Sequence, residues 1–173
     1  MPHDFKQAFI SGVERVAAWS DILDEINVFP VADGDTGRNL VISMTPLRQL
    51  NKDPENTINR LLLSARGNSG NIAAQFFSGL LKADSFADLP DAVESGRDRA
   101  WQAVNKPVAG TMLTVFDELT EFLKKDNIED KNEYVLQVMN HLENATLSTN
   151  KLLPKLKHPQ VTFQLLLNFF LEP

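Results

Sequence analysis

The sequence contains no cysteine. That excludes disulfide staples and thiolate metal sites, and it fits a reducing compartment. Long apolar runs are missing too. Nothing approaches the ~20 consecutive apolar residues of a membrane-spanning helix, and the apolar stretch "VTFQLLLNFFLEP" near the C-terminus is too short. There is no basic excess: 17 Lys and Arg stand against 23 Asp and Glu, for a formal net charge of −6. A general nucleic-acid binder needs a basic face to neutralise phosphates, so that class is not expected. The same deficit means that an anionic ligand must be met by a cation or by helix N-termini. Histidine is scarce, and His3, His141 and His158 show no ligand spacing, so each reads as a surface residue. No serine lies in a nucleophile-elbow pattern, and without cysteine there is no evident nucleophile paired with a base. The N-terminal "MPHDFKQAFISGVERVAAW" mixes acids and bases without an apolar core. It does not read as a signal peptide, and a cytoplasmic location is expected.

What is present is an ordinary globular composition, 43% hydrophobic and 23% charged over 173 residues. A chain of this size can bury roughly 70% of its unfolded surface in one core, so the expectation is a single domain over 1–173. The periodicity is helical almost throughout. Phe9, Ile10, Val13, Val16 and Ala17 form one stripe; Met112, Val115, Phe116, Leu119, Phe122 and Leu123 form a second; Val135, Val138, Met139, Leu142 and Ala145 form a third. Phe163, Leu166, Leu167, Phe170 and Leu171 make a fourth, flanked by Leu165 and Phe169. No stretch alternates with period two. The fold class is therefore all-α, a bundle or barrel of about eight antiparallel amphipathic helices. Their expected spans are 3–24, 37–51, 54–65, 69–83, 89–104, 109–125, 131–148 and 155–172. Asp53-Pro54-Glu55 supplies a cap, a first-turn proline and an acid; Gly37 and the Arg66–Gly70 run separate neighbouring helices; Pro90, Lys106-Pro107 and Pro154 mark other starts or breaks.

Three stretches carry candidate chemistry. In "NVFPVADGDTGRNL", residues 27–40, Asp33 and Asp35 lie two apart with Gly34 between them. Carboxylates at i and i+2 of an extended loop can turn toward one point, and such oxygen ligands suit Mg²⁺ completed by water and phosphate. An EF-hand fails, because its twelfth position is Met44 rather than Glu. As a bare pattern, Asp-Gly-Asp also describes a plain turn. In "SARGNSGNIAAQFF", Arg66, Gly67, Asn68, Ser69 and Gly70 form a small-residue loop ahead of an amphipathic helix, with no Walker lysine. That is a phosphate cradle or an ordinary helix connection. In "KPVAGTMLTVFDEL", Ala109-Gly110-Thr111 opens a helix whose Met112 is either core or a flat surface for a base ring.

Together and in this order, "NVFPVADGDTGRNL", "SARGNSGNI" and "KPVAGTMLTV" resemble the nucleotide-binding domain of the dihydroxyacetone-kinase type (DhaL or DAK2 type). The likeness is closest to the version found at the N-terminus of bacterial fatty acid kinase. It runs from about Asn27 to Val115 and continues weakly beyond. The resemblance implies an all-α barrel with Mg²⁺ and ATP or ADP at one rim. It assigns Asn27, Asp33 and Asp35 to the metal. Thr36, Arg38, Asn39, Asn68, Ser69 and Gly70 fall to the phosphates, with Thr111 and Met112 beside the base. Asn27 stands where the dihydroxyacetone-kinase branch carries Asp, and Thr36 where it carries His; both favour the fatty acid branch. Relatives end in a Val-Asp-Ala-Gly-Gly turn that closes over the nucleotide, whereas this chain reads "HPQVTFQLLLNFFLEP". Arg38 replaces a small residue.

The leading expectation is a Mg-ATP-binding kinase domain. It would transfer a phosphoryl group to a fatty acyl group presented by a separate lipid-binding (DegV-like) or other substrate-binding protein. A catalytically degenerate nucleotide-binding or regulatory homologue is the alternative. After it come the nucleotide-binding subunit of a dihydroxyacetone kinase, then a plain helical interaction domain. No general base is evident, and a homo-oligomer is left open.

Overall fold

A computed structural model describes residues 3–25, 27, 33–125 and 137–145. The described residues hold helices and no strand, as the periodicity requires. In chain order they are α1 (His3–Ala18), α2 (Ser20–Glu25), α3 (Thr36–Met44), a 3-10 turn (Thr45–Gln49), α4 (Pro54–Ser64), α5 (Gly67–Leu80), a second 3-10 turn (Phe86–Asp88), α6 (Leu89–Gln102) and α7 (Met112–Lys125). A further helix occupies residues 137–145. The helix expected at 155–172, with its apolar stripe, lies outside the described residues.

Local chemistry explains most boundaries. Asp53 caps α4 by accepting from Asn56 N at 3.4 Å, and Pro54 takes a first-turn position where no N–H is needed. Ser85 and Asp88 form a reciprocal capping box ahead of α6. Three expectations need correction. The span 3–24 is two helices, because the ladder is interrupted at Trp19. Trp19 N still donates to Arg15 O at 3.1 Å and Leu23 N to Trp19 O at 3.0 Å, so the interruption is a bend and not an end. The span 37–51 stops being α-helical at Met44, where Pro46 removes an N–H from the ladder and the chain tightens to 3-10 geometry. Finally, the Gly67–Gly70 segment is no loop: α5 starts at Gly67, so these residues are its first turn.

The centre of the fold is α5, buried over nearly its whole length from Gly70 to Leu80. Phe76, fully enclosed, stacks on Phe116 of α7 with ring centroids 3.7 Å apart, and Phe77 meets Phe9 of α1 edge-on at 5.8 Å. Helices α5 and α6 cross closely. A Cβ on Gly79 would overlap the backbone of Gly96, and a Cβ on Gly96 would overlap the Phe76 carbonyl. The stripes on α1, α7 and 137–145 deliver Val13, Phe116 and Leu142 to this core. Packing of α3 along α5 then brings two helix N-termini to one end of the molecule.

Candidate functional site

That end is built from the first two motifs. Gly34 has φ +63°, a left-handed conformation that bends the chain between Asp33 and Asp35 at little steric cost. Asp33 is exposed and Asp35 half-buried. Asp35 immediately precedes α3, yet its side chain makes no capping bond. Asn27 Nδ2 donates to Asp33 Oδ1 at 2.7 Å, so two of the three expected metal-site residues touch directly. Residues 28–32, between them, lie outside the described residues.

The start of α3 is capped from a distance. Asp24, at the end of α2, accepts from Gly37 N at 2.6 Å and Arg38 N at 3.2 Å through Oδ1, while its Oδ2 lies 3.3 Å from Arg38 Nη2. Gly37 therefore does not separate helices. It sits in the first turn of α3, where a Cβ would overlap the Ser20 carbonyl of α2. Arg38, expected beside phosphate, is paired with Asp24.

The second motif meets the first. Ser69 Oγ donates to the Thr36 carbonyl at 3.4 Å, and a Cβ on Gly67 would overlap the Asn39 amide. Gly67, with φ +60°, turns the chain from extended Arg66 into α5. No side chain caps this helix start, and Gly67 and Asn68 are exposed. The first turn of α5, with the positive end of the helix dipole, thus lies uncapped at an exposed stretch of chain, joined by Ser69 to the residue that follows Asp35. Gly70 is buried against Ser43.

The third motif is attached through α6. Asn71, in the second turn of α5, donates to Ala103 O at 2.6 Å, which fixes the point where the chain leaves α6 toward residues 104–111. Gly110 has φ +80°, and its N–H donates to Thr114 Oγ1 at 2.8 Å. Thr111 caps α7: its hydroxyl donates to Val108 O at 2.9 Å and accepts from Leu113 N at 3.3 Å. Met112 is half-buried against the core, and Leu113 is the fully buried member of the pair.

The donor set fits Mg²⁺. Among the described residues, no three His, Asp or Glu side chains gather into a cage. Mg²⁺ ordinarily uses one or two carboxylates and leaves the rest of its shell to water and phosphate, and Asp33 and Asp35 offer that much.

Sequence reasoning missed Asp24, Ser43 and Asn71. Each acts across 13 to 32 positions of chain, beyond any local motif. It also missed the partners of His141. That ring is half-buried on Phe122 with centroids 4.9 Å apart, and Nε2 lies 3.2 Å from Glu118 Oε2. The side chain of His3 and all of His158 lie outside the described residues. Away from the site, burial raises the Asp117 carboxyl above the usual range, against the opposing effects of a hydrogen bond from Trp101 Nε1 at 2.9 Å and the nearby Arg97.

A family profile described as "DAK2 domain" matches residues 30–162. An uncharacterized protein of Staphylococcus saprophyticus is 33% identical over 176 residues, and uncharacterized proteins of Staphylococcus aureus strains USA300 and N315 are 33% identical over 173 residues. Each alignment covers 88% of this chain and 31% of the relative, so the chain spans about a third of the length of the curated relatives it matches. With a profile match over most of its length and an all-helical fold, the chain belongs to the DAK2 domain family and is a kinase-related nucleotide-binding domain.

Proposed function

We propose that the chain binds Mg-ATP as one domain over 1–173 and positions the nucleotide for phosphoryl transfer. One observation carries this reading: the acidic loop before α3 and the uncapped start of α5 are held together by the Ser69–Thr36 bond and the Asn39–Gly67 contact. Asp33 and Asp35, with Asn27 beside them, would hold Mg²⁺, which when bound neutralises charge between the phosphates. The amides of Asn68 and Ser69, with Thr36, Arg38 and Asn39 opposite, would receive the phosphates; Gly70 N–H already donates to Arg66 O at 3.1 Å, so Gly70 serves by leaving room and not as a donor. Thr111 and Met112 would lie toward the base. Transfer then rests on positioning and charge stabilisation and needs no protein nucleophile.

By resemblance, the acceptor is a fatty acyl group brought by a lipid-binding (DegV-like) partner, and Asn27 and Thr36 support that branch over the dihydroxyacetone-kinase one. A second reading, a nucleotide-binding regulatory homologue, draws on the sequence at 158–173, which lacks the Val-Asp-Ala-Gly-Gly turn.

Calorimetric titration of ATP with and without Mg²⁺ tests the proposal. Saturable binding that requires the metal is expected; absent or metal-indifferent binding would refute it. Phosphate release in the presence of a lipid-loaded partner then separates the two readings, since turnover supports the kinase and its persistent absence supports the regulator.

A further inference from the structure

The two halves of the proposed phosphate site are not merely adjacent; one buried hydroxyl joins them. Ser43, in the last turn of α3, is completely inaccessible. Its Oγ donates to Asn39 O at 2.6 Å and accepts from Arg66 N at 2.9 Å. Its own carbonyl accepts from Ser64 Oγ, at the end of α4, at 2.9 Å. Gly70 leaves the space that this hydroxyl fills, since a Cβ there would overlap Oγ. Arg66 N–H belongs to the residue that leads into α5, and Asn39 is the α3 residue whose amide lies on Gly67. The hydroxyl is therefore a strut from α3 to the α5 start, placed on the far side of the Asn39–Gly67 contact from solvent.

We infer that Ser43 is a positioning residue for phosphate. It sets the distance between Asn39 and the first-turn amides of α5 without touching the ligand. The inference rests on the phosphate-site reading above. Its physical basis is that Ser43→Ala removes a donor and an acceptor at once and leaves the Arg66 N–H without its buried acceptor, which releases the α5 start from α3. A displaced cradle loses the alignment that multiplies several weak phosphate contacts into one strong one.

The test compares Ser43→Ala with Ser78→Ala. Ser78 is equally inaccessible, but its hydroxyl bonds Gln75 O within α5 and, among the described residues, joins no second helix. Both variants lose a buried hydroxyl, so a general loss of stability appears in both. The first readout is Mg-ATP affinity at a temperature where both are folded. Ser43→Ala is expected to bind about tenfold or more weakly, and Ser78→Ala within about twofold of the parent. Equal affinities for parent and Ser43→Ala would overturn the inference. The second readout needs no nucleotide: amide chemical shifts. Ser43→Ala should move Thr36–Asn39 and Gly67–Gly70 together, whereas Ser78→Ala leaves both groups in place. Changes confined to Ser43 and Arg66 would overturn the strut even if the parent bound no nucleotide. A parent that binds none while its two segments shift together would refute only the nucleotide reading.

Discussion

The two ends of α5 solve the same problem, close approach of a neighbouring helix, in opposite ways. At the C-terminal end Gly79 meets Gly96, and backbone lies on backbone with no polar side chain between. At the N-terminal end Gly67 and Gly70 make the room, and Asn39 and Ser43 occupy it. The first arrangement can only hold helices together. The second keeps polar groups and uncapped amides near the surface, where a ligand can use them. A similar contrast separates the site from the outer face of α6 and α7. There, Trp101 and Arg97 approach Asp117, Lys124 pairs with Glu94, and Lys125 with Glu121 at 3.0 Å. Charged side chains on that face lie beside opposite charges, whereas at the site the start of α5 has no side-chain cap.

The largest effect should come from the purely structural end. Gly79→Ala forces α5 and α6 apart or bends one of them, and such overpacking costs about 1–3 kcal/mol. Urea unfolding should show this loss, while the folded fraction retains full Mg-ATP affinity. At the other end the balance reverses. Asp33→Ala and Asp35→Ala are expected to weaken Mg-ATP binding at least about tenfold, or ~1.4 kcal/mol, by calorimetry. Their stability should change by no more than about 0.5 kcal/mol. Variants that unfolded instead would make the loop structural and erase the contrast.

Asp24→Ala tests the seam between α2 and α3. Removing a helix cap costs about 1 kcal/mol, and Asp24→Asn, which keeps an acceptor oxygen, should recover part of it in the same unfolding assay. The smallest effect belongs to the outer face. Because the folded-state carboxyl of Asp117 is raised, the native chain holds its proton more tightly than the unfolded one does. Its contribution to stability therefore increases as pH falls through the folded value toward the unfolded one, and is constant above. Asp117→Asn should abolish that increment in melting curves recorded across the acidic range, while its amide oxygen still accepts from Trp101.

Helices were legible in the sequence wherever one apolar stripe met one core. The residues of α7 show why: Val115, Phe116, Leu119 and Leu123 repeat at helical spacing, and all are buried. Starts with a local cap, such as Asp53-Pro54, were legible for the same reason. The Asp33–Asp35 loop and the Gly67–Gly70 segment could be picked out as motifs, but their meeting could not. It depends on Ser43 and Arg66, 23 positions apart, and on a glycine contact with Asn39 that no pattern in α3 announces. The bend at Trp19 escaped because neither glycine nor proline marks it. His141 escaped because its partners, Glu118 and Phe122, lie on another helix.

The cap that Asp24 places on α3 has a consequence for how this end of the molecule comes into being. Two helices beginning side by side set like poles against each other, and each resists the other's approach. A carboxylate carried by α2 cancels one pole from within the chain, so the pair can assemble before any anion arrives. The remaining pole, at Gly67, has no side-chain cap, and under the proposed function it would give an incoming phosphate a single direction to follow.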